Sequence, residues 1–293
     1  MGRFILTGSQ QFGLKSGITQ SLAGRVAMFE LPPFTLSELQ AHPLPLWEQV
    51  LTGFYPPLYD RDLDVQIWMD SYLSTYLERD VRQLTRVQDL SSFQRFLRLC
   101  AGRCGQLLNL NSLAADAGIS QPTAKAWISI LEASYVIHLL PAFHMNFTKR
   151  LTKSPKLYFI DTGLACRLLG LRQAAEMEQS PFRGPLFENL VVAECFKRQM
   201  VKGRRPELYH WRDFAGLEVD LLLPCAGGRW APVEIKSGQT LADDWFKPML
   251  RWQDLAGATA APARLIHGGD FRGSQRGVAC FPWTVLREDS WED

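Results

Sequence analysis

Residues 216–236 read GLEVDLLLPCAGGRWAPVEIK, and this stretch decides the fold. Leu217 to Leu223 and Trp230 to Lys236 are two short apolar runs, each the length of a strand. Gly227-Gly228 between them is a turn signal. Three polar side chains interrupt the runs where a sheet is expected to be buried: Asp220, Glu234 and Lys236. Glu234 and Lys236 are two apart, so a strand points them to one face. An unpaired carboxylate at Asp220 would be costly in such surroundings. A divalent cation held by Asp220 and Glu234, with Lys236 beside it, satisfies all three. Oxygen ligands favour Mg²⁺ or Mn²⁺, and the trio suits phosphodiester hydrolysis. The alternative on spacing alone is a buried salt bridge from Lys236 to Asp220 or Glu234.

Working outward, the C-terminal part reads as strands around helices. Leu186 to Gln199 is helical with Glu188 near its start, Leu208 to Trp211 is a strand, Asp243 to Leu255 a helix and Ala263 to His267 a strand. Upstream, Asn111 to Ala117 is a short helix, Gly118-Ile119-Ser120 a turn, and Gln121 to Ser134 a second helix. Ser120 is its N-cap and Pro122 sits in its first turn. That is a helix-turn-helix pattern, with an ordinary three-helix bundle as the alternative. Val136 to Leu140 and Lys156 to Ile160 complete it as the two strands of a wing. Lys125, early in the second helix, and Lys149, Arg150 and Lys153, between the strands, are the candidate DNA-binding residues. Further upstream a helix is expected over Asp60 to Arg86, with Ile67, Tyr72 and Leu73 on its apolar side, and another over Ser92 to Arg103. Phe4-Ile5-Leu6 and Phe29-Glu30-Leu31 read as short strands flanking a helical Ser16 to Met28.

Composition bounds the class. The chain has 293 residues, 46% hydrophobic and 21% charged, enough for about two domains and a sizeable core. This excludes a disordered tail, a coiled coil and a collagen-like rod. No run approaches the ~18 apolar residues of a spanning helix, and the first residues do not form a secretory signal. Net charge is +2, but Lys149, Arg150, Lys153 and Lys156 cluster in an acid-free stretch. Lys197, Arg198, Lys202, Arg204 and Arg205 cluster in another. Each is either a polyanion-binding face or a solvated surface. The six cysteines form no C-x-x-C pair, so zinc or disulfides are not expected and a reducing cytoplasm is. Asp161 reads as the N-cap of the segment after it.

Together, Leu186-Phe187-Glu188-Asn189, Gly216 to Asp220 and Val233-Glu234-Ile235-Lys236-Ser237-Gly238 resemble the PD-(D/E)xK nuclease core. More closely, the chain resembles archaeal-type AAA ATPase family proteins that carry such a nuclease-like C-terminal domain of unknown function, with a winged helix between. Tyr76 to Asp80, Tyr158 to Gly163 and Tyr209 to Asp213 match recurring segments of that family. Arg3 to Ser9 is similar to its sensor strand, and Ser21 to Arg25 and Pro33 to Leu39 continue the likeness.

The resemblance implies an α/β multidomain protein: an AAA+ remnant over 1–58, a helical linker and winged helix-turn-helix over 59–160, and a PD-(D/E)xK, restriction-endonuclease-like domain over 161–293. It implies Asp220 and Glu234 as metal ligands, Lys236 as the catalytic lysine and Glu188 as a helical acid helping to hold metal or water. The motif's proline is absent, Val219 preceding Asp220. No Gly-Lys dipeptide occurs, so there is no G-x-x-x-x-G-K-[ST] phosphate loop, and ATP binding is not expected. The chain reads as an N-terminally shortened member. DNA is the expected partner, with self-association through an uncovered ATPase face, and no membrane. The alternative function is a non-catalytic DNA- or protein-binding module.

Overall fold

The computed structural model describes residues 27, 29–77, 90–143 and 154–292. The expected strand at 4–6 and helix at 16–28 lie outside these residues or fall on single described positions. Residues 29–31 form no strand. Pro32 and Pro33 follow directly and cannot donate to a ladder.

The first helices are short: α1 (Leu46–Thr52), α2 (Pro57–Asp60) and α3 (Val65–Ser71). The long helix expected from Asp60 therefore starts later. Asp64 sets that start, its carboxylate accepting the Ile67 N–H at 2.8 Å, as an N-cap side chain does. The last turn of α3 widens into a π-helical segment, Tyr72–Leu77. Ile67, expected on the apolar side, is 69% exposed, whereas Met69 is buried.

Next come α4 (Leu90–Ala101), α5 (Leu110–Ala117) and α6 (Gln121–Ala133). Gly118 takes the left-handed conformation that ends α5, with φ 72°. Ser120 caps α6 by accepting the Thr123 N–H at 3.2 Å. Trp127 of α6 meets Phe93 and Phe96 of α4 edge-on, each at 5.2 Å between ring centroids. The pair β1 (Ile137–Leu140) and β2 (Lys156–Phe159) is antiparallel, with Ile137 opposite Phe159 and Leu140 opposite Lys156.

Asp161 caps α7 (Thr162–Leu168), as its position in sequence implies, accepting the Leu164 N–H at 2.8 Å. After α8 (Ala174–Gln179) runs the long α9 (Arg183–Val201), buried along most of its length. Here the second basic block is corrected. Lys197 and Arg198 are not on a solvated face but buried within α9, paired with Glu194 at 3.3 and 3.1 Å.

The C-terminal sheet contains β3 (Tyr209–Arg212), β4 (Glu218–Cys225), β5 (Arg229–Lys236), β6 (Arg264–His267), β7 (Gly273–Gln275) and β8 (Val278–Pro282), in spatial order β3-β4-β5-β6-β8-β7. Strands β3, β4 and β5 pair antiparallel, β5-β6 and β6-β8 parallel, and β8-β7 antiparallel. The helix α10 (Lys247–Ala256) crosses over from β5 to β6. Together these elements make a mixed α/β architecture with two sheets. Its main apolar cluster draws residues from Leu36 to Trp291, and two smaller clusters form around Phe246 and Trp252.

Candidate functional site

The site grows from the β4–β5 hairpin. Leu221 pairs with Val233 and Leu222 with Pro232; carried one step further, this register sets Asp220 opposite Glu234. Gly227 and Gly228, with φ 74° and 70°, supply the left-handed backbone that closes the hairpin. Asp220 is anchored at the crossing, accepting the Ile235 N–H at 2.9 Å. Lys236, two residues beyond Glu234, reaches both acids: 2.5 Å from Glu234 Oε1 and 3.6 Å from Asp220 Oδ2. The three residues named from sequence are thus brought together, and the ion pairs expected of a salt-bridged trio are present.

Glu188 joins from the first turns of α9, but through an intermediary that sequence reasoning missed. Lys156, counted above with the wing's basic cluster, is buried. Its Nζ lies 2.8 Å from Glu188, in contact with Glu218, and 3.9 Å from Asp220 Oδ1. The Tyr158 hydroxyl donates to the same Glu188 oxygen at 2.5 Å. Asn189 fixes the strand that carries both. It accepts the Phe159 N–H at 2.7 Å and donates to the Phe159 carbonyl at 2.8 Å. The available signal was alternation on β2, which turns Lys156 and Tyr158 to one side.

Electrostatics follow from this crowding. Burial, then the neighbouring Asp220 carboxylate, pushes Glu234 up to about 8. Burial and Asp220 likewise push Glu188 up to about 7, against the pull of Lys156. The carboxylates around Lys156 and Lys236 raise both ammoniums above the ordinary lysine value, outweighing burial. Glu234 Oε2 is buried with no hydrogen-bond partner, an open acceptor beside Asp220. That oxygen fits a hard divalent cation. Among the described residues no three His, Cys, Asp or Glu side chains form a ready-made metal cage, so an ion would rest on Asp220 and Glu234. Mg²⁺ commonly makes do with one or two carboxylates.

Of the expected DNA contacts, Lys125 is exposed on α6. Lys149, Arg150 and Lys153 lie outside the described residues.

Comparison with known proteins matches three segments of the chain. Residues 1–40 match an AAA domain, 45–175 a domain of unknown function (DUF8612) and 183–286 another (DUF4143). The chain is similar to the uncharacterized proteins Mb2031c of Mycobacterium bovis and Rv2008c of Mycobacterium tuberculosis. Each is 32% identical over 242 residues, covering 81% of this chain and 53% of the relative. The chain therefore spans about half the length of these curated relatives. No solved structure matches it significantly. No helix among the described residues is long and apolar enough to cross a membrane. The matched segments place the likeness with AAA-like ATPase family proteins, through an AAA segment followed by two domains of unassigned function.

Proposed function

We propose that the chain is a cytoplasmic DNA-associated protein whose C-terminal sheet carries a PD-(D/E)xK-type site for Mg²⁺- or Mn²⁺-dependent phosphodiester hydrolysis. The observation that carries this reading is the juxtaposition of Asp220, Glu234 and Lys236 around one buried, unpartnered carboxylate oxygen. When bound, the metal supplies a water of lowered pKa and charge to offset the phosphate. Asp220 and Glu234 would hold it. Lys236, half-buried and hydrogen-bonded to Glu234, keeps a positive charge at the mouth of the site, where it orients an attacking water and steadies charge developing on the phosphate. Glu188 stands behind this group, positioned by Lys156 and Tyr158. In this reading α5, α6 and the β1–β2 pair form a winged helix that places DNA, with Lys125 at its exposed surface. ATP hydrolysis is no part of it.

A second reading is favoured by one observation. The Lys156 ammonium already lies among Glu188, Glu218 and Asp220, which suits a binding module that retains the acids without cutting.

The experiment is cleavage of linear, single-stranded and branched DNA by the purified chain with Mg²⁺ or Mn²⁺, beside Lys236→Ala. The expected result is metal-dependent cutting that falls at least a hundredfold in the variant. Binding by both proteins with cutting by neither would establish the second reading instead.

A further inference from the structure

The buried carboxylate cluster draws one of its cations from outside the C-terminal sheet. Lys156 belongs to β2, upstream of residues 183–286, and its side chain is only 4% exposed. An ammonium taken out of water costs several kcal/mol unless close anions compensate. Lysine has three N–H donors, and three carboxylates face this one: Glu188, Glu218 and Asp220.

Asp220 is shared between two cations. Its Oδ1 faces Lys156 and its Oδ2 faces Lys236. A carboxylate between two positive centres is the arrangement that phosphodiester-cleaving sites with two divalent ions require. Here the centre on the Glu188 side is already an ammonium, held by protein. Charge agrees with that division. With its ligands deprotonated, as a bound metal requires, the carboxylates of Glu188, Glu218, Asp220 and Glu234 face the ammoniums of Lys156 and Lys236, leaving two negative charges that one divalent ion neutralises. Arg212, 3.4 Å from Glu218, is half-exposed at the rim and screened by water. The unpartnered oxygen belongs to Glu234, whereas the carboxylates that Lys156 meets are those of Glu188, Glu218 and Asp220.

Building on the metal-site reading above, we infer that Lys156 is a positioning residue that fills the second cation position, so that the site accepts a single divalent ion, at Asp220 and Glu234. The β2 strand thereby becomes part of the site. Asn189 clamps the Phe159 backbone from both sides and holds Lys156 in register with Glu188.

The test is Mn²⁺ binding to the full chain by calorimetry, with electron paramagnetic resonance counting bound ions, on the wild type, Asp220→Asn and Lys156→Met. One ion per wild-type chain, weakened at least tenfold by Asp220→Asn, and two ions in Lys156→Met is the expected pattern. Two ions in the wild type, or one ion in both wild type and Lys156→Met, overturns the role of Lys156 while leaving the metal site standing. No ion in the wild type overturns the metal reading and this inference with it. Should Lys156→Met fail to fold, Lys156→Gln takes its place, two ions in it supporting the inference and one overturning it.

Discussion

Asn189 shows how a single polar side chain can hold two parts of this protein together. Buried on α9, it saturates both backbone groups of Phe159 on β2 and accepts the Cys104 thiol at 2.9 Å. Truncating it strands a buried N–H and a buried carbonyl, and each orphan costs about 1–3 kcal/mol. We expect Asn189→Ala to lower stability by about 2–4 kcal/mol, read from urea unfolding. Its neighbour Glu188 was visible in the sequence as a helical acid, and the motif around it was legible. What the motif did not disclose is that Glu188 is bound by Lys156 and Tyr158 rather than standing open.

Among elements, the junction between α1 and α7 is tightly constrained. Asp161 caps α7 and also accepts the Phe54 N–H at 2.6 Å. Gly53, at φ 74°, passes so close that a Cβ there would lie 2.5 Å from the Asp161 carboxylate. The enclosure is dry enough that burial pushes Asp161 up to about 6, in spite of its backbone hydrogen bonds and the Lys197 charge. The sign follows from proton binding. Between about pH 4 and 6 the folded chain keeps a proton that the unfolded chain has lost. The contribution of this group to stability is therefore full below about pH 4 and is lost as pH rises through 6. Thermal unfolding followed across that window should show this slope in the wild type and a flatter one in Asp161→Asn. An unchanged slope would assign the effect to other carboxylates.

Element boundaries fared unevenly, for physical reasons. The β4–β5 hairpin was legible because two apolar runs flank a Gly-Gly turn. The capped start of α6 was legible because Ser120 and Pro122 are local signals. The strands β7 and β8 were not read at all. They are three and five residues long, and β8 is defined by its parallel pairing with β6, a contact that leaves no periodicity in so short a run. The helix expected from Asp60 lost its first turn to the Asp64 cap.

At the scale of the molecule, Glu194 ties the first described segment to the last. Deep in α9, it accepts the Leu36 N–H at 3.0 Å and pairs with Lys197 and Arg198. Lys197 in turn donates to the Phe34 carbonyl at 2.6 Å and lies over the Phe54 ring. Arg198 reaches the Leu286 and Glu288 carbonyls near the C-terminus. Burial lowers the Lys197 ammonium, with Glu194 opposing. Removing one partner of such a network leaves uncompensated buried charge, at about 3–5 kcal/mol. Glu194→Ala is accordingly expected to lower the unfolding free energy by that amount. Because the main apolar cluster joins residues from Leu36 to Trp291, circular dichroism and tryptophan fluorescence should report one coincident transition. Separate transitions would mean that the segments unfold independently.

The sequence by itself determined the elements whose signals are local: capped helices, the glycine-closed hairpin and the alternation that sets Glu234 and Lys236 on one face. It also determined the absence of a phosphate loop from these residues. Tertiary structure alone decided which charges are surface and which are core. Lys156, Lys197 and Arg198 look alike in sequence to any solvated basic residue. Their burial depends on counter-charges, Glu188, Glu218 and Asp220 from other elements for the first and Glu194, one turn earlier on α9, for the others. A buried cation is tolerable only where the fold delivers its counter-charges, and pairings such as Lys156 with Glu218, 62 residues apart, are set by packing rather than by any local pattern.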